Sequence, residues 1–266
     1  MALALAESVR DRLETDRFGR SLRGVETVGS TNTAAAEWAR EGAPEGSVLV
    51  AEYQSAGRGR HGRTWTAKRG QNLMFSVVLR PALAADRLGL VTVAASVAVA
   101  EAIDAFVSPH RAALKWPNDV LLEGRKTCGM LLESSLSGRQ EAEVVVLGVG
   151  LNVNQTTFPD ALADTATSLR LAAGRAMPRA PLLARLLRRL EARYDAVQAG
   201  GEEAGAVRAA FHDRLATLGE RAAFRVSGAE APIAGVVRGI TDTGALRLDT
   251  PDGPRVVHAG DATSRT

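Results

Sequence analysis

The sequence predicts an α+β chain in which a large domain of interspersed helices and strands is followed by a small β-barrel. Two observations carry this. Up to Leu215, stretches with helical spacing alternate with β-branched runs bounded by glycine and proline. After Leu218 the texture changes: RAAFRVSG, APIAGVVRGI, GALRLDT and GPRVVHAG are short alternating strands separated by glycine-bearing turns. The length, 266 residues and 28.0 kDa, suits one large domain with a small satellite. The boundary falls near Thr217 to Glu220, which gives domains 1–217 and 218–266.

Taken in order, the N-terminal stretch up to about Arg20 reads as a short helix and a lead-in. Ser30-Thr31-Asn32-Thr33 then precedes AAAEWAREG, a capped helix from about Thr31 to Arg40 with Gly42 as its stop. SVLVAEYQS, Ser47 to Ser55, is a strand running into a glycine-arginine loop, and Asn72 to Pro81 is a second strand ended by proline. A helix covers about Asp86 to Phe106. AALKWPNDVLLEGRKTCGMLLESS reads as three strands joined by a proline turn and a Gly124-Arg125 turn. Glu141 to Asn154 is a strand ending in a glycine- and amide-rich tip. Gln155 to Ser168 lacks periodicity and is long enough to suggest function or mobility. Helices follow at about Pro181 to Ala199 and Glu202 to Leu215, the first with Leu183, Leu186, Leu187 and Leu190 at helical spacing.

Composition narrows the classes. With 45% hydrophobic and 24% charged residues the chain can build a core, which excludes wholesale disorder. The single cysteine, Cys128, excludes an intrachain disulfide framework and reads as a small core residue. The N-terminus turns charged too soon for a secretory signal, and Leu88 to Val107, interrupted by Glu101 and Asp104, reads as a buried helix rather than a membrane span. A cytoplasmic location is the default. Of 33 basic residues only Lys68, Lys115 and Lys126 are lysines, leaving 30 arginines. That skew weakens any general inference from basicity to nucleic acid, and it singles out each remaining lysine.

Two motifs carry chemistry. In GRGRHGR, Gly57 to Arg63, three glycines let the backbone turn tightly while Arg58, Arg60 and Arg63 repel one another unless an anion sits between them. Recognition of phosphate together with carboxylate needs that arrangement. A solvated arginine loop or an RG-type RNA patch are the other readings. The loop fits neither the Walker pattern nor the dinucleotide fingerprint. Downstream, Lys115-Trp116-Pro117-Asn118-Asp119 puts a compact ammonium at the end of an apolar strand, where this chain would ordinarily use arginine. Asn118 and Asp119 could cap backbone or meet a metal-bound phosphate. A β-turn with a snorkelling lysine is the alternative.

GRGRHGR, then KWPND, then GVGLNVN (Gly148 to Asn154) resemble, in that order, the catalytic core of biotin–protein ligases. Ser30-Thr31-Asn32, Gln54, and Gly124-Arg125-Lys126 followed by Cys128-Gly129-Met130-Leu131 are similar to further family elements. The resemblance covers Gly24 to Asn154 well and extends more loosely to the C-terminus. It implies a class II synthetase-like biotin/lipoyl ligase domain, a mixed sheet with helices on one side, and an SH3-like C-terminal domain. The implied reaction joins biotin and ATP into biotinoyl-AMP with release of pyrophosphate, then passes biotin to a lysine of a biotin carboxyl carrier domain of an acyl-CoA carboxylase. It further implies that Ser30, Thr31, Asn32 and Gln54 bind the ureido head, that Arg58 and Gly59 order the loop over the biotin tail, and that Arg60 and Arg63 face the ATP phosphates. Trp65 and Asn152 would meet the nucleotide and Lys126 would lie near the phosphates. Lys115 would bridge carboxylate and α-phosphate, with Arg60 as the second catalytic cation, both touching biotin and nucleotide. Mg²⁺ is expected to accompany ATP, with no protein metal site. Repressor members carry an N-terminal winged helix, and with the STN motif at Ser30 the expectation is none here, hence no DNA binding. The expected assembly is a monomer or weak dimer. His61 reads as an exposed loop residue, and Gly260-Asp261 with Arg265 is similar to the family's terminal strand.

Three alternatives compete. A lipoyl or octanoyl ligase would share the scaffold, but the pair of motifs argues against it. An RNA reader would interleave aromatics for base stacking, and only Phe224 is aromatic in the C-terminal region. A biotin-binding module without catalysis would not require Lys115, Arg60 and Arg63 together.

Overall fold

The computed structural model describes residues 2–135, 144–226, 231–258 and 261–265. Seven strands form the main sheet: β1 (Leu22–Val25), β2 (Val48–Ala51), β3 (Leu73–Leu79), β4 (Ala113–Lys115), β5 (Asp119–Leu122), β6 (Arg125–Ser135) and β7 (Val144–Leu151). Their order is β1-β2-β3-β7-β6-β5-β4, with β1 and β2 parallel and every other pair antiparallel, so the sheet is mixed. The β1 strand, LRGV, has too little periodicity to be read from sequence. Pairing with β2 makes it a strand. The strand expected from Glu141 begins outside the described residues.

The helices are α1 (Ala2–Arg10), α2 (Thr31–Arg40), α3 (Gly89–Val107), α4 (Leu169–Ala173), α5 (Arg179–Ala199) and α6 (Gly201–Asp213). Alanine and valine cover α3 all round, which suits a helix enclosed on every side. It is long and apolar enough to cross a membrane, yet it lies buried against the sheet, α5 and α6. The expectation of helices on one side needs correction. In the β1-α2-β2 crossover, α2 lies on the opposite face from α3, packing Ala35, Trp38 and Ala39 against Leu49, Val78 and Val146. The reason is strand alternation: Leu49 and Val78 point away from the side to which Val48, Val50 and Val77 contribute. The candidate site shares this second face.

Five antiparallel strands form the C-terminal sheet: β8 (Arg221–Arg225), β9 (Ile233–Ile240), β10 (Leu246–Thr250), β11 (Gly253–Val257) and β12 (Asp261–Arg265), in the order β11-β10-β9-β8-β12. Gly260 and the Arg265 side chain, named above for the terminal strand, lie outside the described residues.

Candidate active site

The second face is shaped by what its strands leave out. A Cβ at Gly148 would run into the Asn32 amide, and a Cβ at Gly150 into the Trp65 ring, while at Gly129 it would stand 3.1 Å from the Trp65 ring and 2.9 Å from the Lys126 ammonium. Glycines at alternate positions therefore admit side chains from α2 and from the arginine loop onto the sheet. Between them lies a cavity of about 610 Å³, within the range of ordinary small-molecule sites. All twelve residues singled out above line it.

The closed end is a hydrogen-bonded cluster at the start of α2. Ser30 occupies the N-cap position with extended backbone (φ −146°, ψ 134°), but its hydroxyl caps nothing. Gln54 Oε1 takes that duty, accepting from Thr31 N at 2.7 Å and Thr31 Oγ1 at 3.0 Å. Asn32 is committed at both ends. Its Oδ1 accepts from Ser76 Oγ at 2.6 Å, and its Nδ2 donates to Leu131 O at 3.2 Å and Glu133 Oε2 at 2.7 Å. Ser76 Oγ also lies 2.8 Å from Thr31 Oγ1. Among the described residues, the Ser30 hydroxyl and the Gln54 Nε2 remain without a protein partner.

GRGRHGR folds into a tight hairpin. Arg58 bridges Thr64, Gly59 N donates to Arg63 O at 2.6 Å, and a 3-10 turn spans Arg60–Gly62. His61 is exposed and takes φ +54° beside Gly62 at +72°, an uncommon conformation that histidine tolerates better than most. Arg58 is tied down at the cavity edge by Glu133 at 2.8 Å and Thr33 at 3.2 Å. Arg60 reaches Asn118 Oδ1 at 3.4 Å, linking the hairpin to the KWPND turn.

In that turn Lys115 is partly buried and lines the cavity with Arg58, Arg60 and Arg63. Lys126 pairs with Asp119 at 2.6 Å and stands 5.8 Å from the Trp65 ring centre, and Lys68 donates to Thr157. Lys115 has no hydrogen-bond or salt-bridge partner among the described residues. Asn118 serves backbone, its Nδ2 donating to Met130 O at 2.6 Å. Among the described residues, two buried polar atoms in the wall, Trp65 Nε1 and Asn152 Oδ1, have no partner, whereas Asn152 Nδ2 holds Thr167 O at 3.1 Å. A buried polar group without a partner needs an explanation, and for these two a molecule in the cavity would supply one. Five cations face the cavity against two carboxylates, Asp119 and Asp164, so it is built for an anion.

The 155–168 segment supplies Phe158, Leu162, Asp164, Thr165 and Ala166 to the wall. Gln155 is buried, accepting from Lys68 N at 3.0 Å and Asn72 Nδ2 at 2.7 Å, and Lys126 pairs with Ala166 at the far end. Cys128 is fully buried in the core, and burial pushes its thiol up, out of nucleophilic range. Sequence reading missed Ser76 and Glu133. The signal for Ser76 was present: it is the single polar residue in the buried run LMFSVVL, where a hydroxyl needs a partner.

Residues 24–152 match the model of the biotin/lipoate A/B protein ligase family, and residues 217–263 match the biotin protein ligase C terminal domain. The biotin–[acetyl-CoA-carboxylase] ligase of Mycobacterium tuberculosis is 38% identical over 260 residues, covering 96% of this chain and 93% of that one. The bifunctional ligase/repressor BirA of Bacillus spizizenii is 34% identical over 97% of this chain and 78% of its own length. A structure of biotin protein ligase from Aquifex aeolicus in complex with biotin and ATP is similar with a TM-score of 0.79 and 27% identity, covering 93% of this chain and 100% of that one. The chain belongs to the biotin/lipoate A/B protein ligase family, as a biotin–protein ligase.

Proposed function

We propose that the chain activates biotin as biotinoyl-5′-AMP and then transfers it to a lysine of a biotin carboxyl carrier domain of an acyl-CoA carboxylase. In the first step a biotin carboxylate oxygen attacks the α-phosphorus of ATP, the bond to the β-phosphate oxygen breaks, and pyrophosphate leaves. In the second the carrier amine attacks the acyl carbon, AMP departs, and the amine gives up its proton. Two unit charges about 4 Å apart repel by about 4 kcal/mol at an effective dielectric of about 20. The cavity must therefore supply fixed cations where carboxylate and phosphate meet, and preorganised charge of this kind is the largest catalytic term in most such reactions.

The roles are those that the family resemblance implies. The Ser30 hydroxyl and Gln54 Nε2 face the ureido head, with Thr31 and Asn32 as a floor held by Ser76. Arg58 and Gly59 lie over the biotin tail. Arg60 and Arg63 take the phosphates, with Lys126 beside them. Asn152 Oδ1 accepts from the adenine amine while Trp65 packs against the base. Lys115, alone among the three lysines in lacking a partner among the described residues, takes the carboxylate and α-phosphate oxygens.

Mg²⁺ would enter as the counter-ion of ATP. ATP phosphate oxygens and water would hold most of its coordination sphere. Bound there it would neutralise phosphate charge. A cytoplasmic location follows from the supply of ATP and carrier.

The observation that carries this reading is the convergence of twelve residues from separate segments on one cavity with an unpartnered lysine. Biotin-dependent exchange of labelled pyrophosphate into ATP tests it. Exchange is the expected result, and exchange that ignores biotin or follows lipoate instead would overturn it.

A further inference from the structure

The backbone around Lys115 is held from outside the catalytic sheet. Its strand, β4, is the edge of the seven-stranded order. That edge is covered one residue before the lysine. Leu114 N donates to Arg214 O at 2.7 Å and Leu114 O accepts from Ala216 N at 2.8 Å, so the connector from α6 to β8 pairs with β4 in parallel. The connector is itself pinned, because Arg214 Nη1 donates to Asp104 Oδ2 at 2.8 Å and Ala112 O at 3.1 Å.

One residue after the lysine, Trp116 is 4% exposed and reaches into the C-terminal barrel. Its indole N–H donates to Gly244 O at 3.0 Å, and its ring meets Phe224 of β8 edge-on at 6.0 Å and 78°. Gly244 lies in the β9–β10 turn at φ +83°, and a Cβ there would stand 3.2 Å from the Gly89 backbone where α3 begins. The turn is thus seated against the main domain at two points. Thr217 of the connector and Ala222 of β8 also line the cavity.

We propose that the C-terminal barrel positions the catalytic lysine, and that Trp116 is the positioning residue through which it does so. This rests on the reading of Lys115 given above. With Leu114 and Trp116 both anchored, the lysine main chain cannot shift along the cavity wall, and only its own side-chain torsions are left to adjust. Misplacement of a reacting group by about 1 Å can cost about 100-fold in rate, so a lost anchor should appear in turnover before it appears in substrate affinity.

Trp116→Phe keeps an aromatic ring against Phe224 but removes the N–H donor. The expected result is a fall of about 10-fold in kcat for adenylate formation, with the biotin KM within about two-fold of the parent. Because Trp116 acts through Lys115, the same substitution placed on Lys115→Ala should lower the residual rate no further. A merely structural role would instead cut both backgrounds by the same factor, through loss of folded protein. An unchanged kcat in Trp116→Phe, or losses that multiply in the double variant, overturns the proposal. Should Trp116→Phe fail to fold, Phe224→Leu loosens the same contact from the barrel side and is read by the same criteria. If Lys115→Ala alone retains full turnover, the reading of the lysine fails, whatever Trp116 does.

Discussion

The two faces of the seven-stranded sheet are built from the same strands yet do opposite things. Toward α3 and α5, β3 presents Leu73, Phe75, Val77 and Leu79, and β7 presents Val145, Leu147 and Leu151, all buried in one apolar core. Toward α2 the intervening positions hold Ser76, Gly148 and Gly150, and the result is a cavity floored by hydrogen-bonding groups. The strand repeat of two makes this possible: each residue can be chosen for its own side without disturbing the other. Volume on one face supplies stability. Missing volume on the other supplies the site.

The sharpest break in that comparison is removal of the unpartnered cation. Lys115→Ala should leave biotin binding within a modest factor while pyrophosphate exchange falls by about 100- to 1,000-fold, the scale of losing one preorganised charge group. The next test falls on neighbouring residues that face opposite ways. Leu147→Ala, in the core, should cost about 3 kcal/mol of stability, seen as a lower thermal midpoint, with an unchanged biotin KM. Gly148→Ala, one residue on, should act mainly on binding. Its new Cβ displaces the Asn32 amide from its hydrogen bonds, so the biotin KM should rise by about 10-fold, roughly 1.4 kcal/mol, with a smaller drop in midpoint than in Leu147→Ala. If both variants affect both quantities alike, the division of labour between the faces is wrong.

Smaller effects refine the floor. Ser76→Ala removes the hydroxyl shared by Thr31 and Asn32 and should raise the biotin KM a few-fold, about 1 kcal/mol for one hydrogen bond, with kcat nearly unchanged. Titration of biotin into the purified variant checks this. The smallest effect belongs to Cys128. Burial raises its thiol, so the folded state keeps the proton. The stability this contributes is fully present below the unfolded thiol's pKa of about 8.5 and is lost as pH rises through the folded value. Iodoacetamide at pH 8 should leave the folded protein unlabelled by mass spectrometry and label it once unfolded.

Much of this was legible along the chain, for reasons that are local. The helix at Thr31–Arg40 announced itself through its polar entry, alanine run and Gly42 stop, and it forms over those residues. The buried run of β3 and the turns around Gly124 were equally plain. The twelve candidate residues were named from motif order, and all twelve line one cavity. What escaped was non-local. LRGV becomes a strand only because β2 lies beside it, and Ser76 matters only because α2 crosses above it. Asn32 carries a polar amide in a site motif, yet its bonds to Ser76, Leu131 and Glu133 turn it into part of the floor.

By itself the sequence determined which residues carry charge, where the backbone can turn, and that alternate strand positions differ in bulk, since these depend on residue type and on spacing of a few residues. Only the tertiary structure decided which face α2 covers, which lysine is left unpartnered, and that a barrel more than a hundred residues downstream grips the backbone beside Lys115. Those outcomes depend on contacts between segments distant in the chain, and no local pattern encodes the register in which such segments meet.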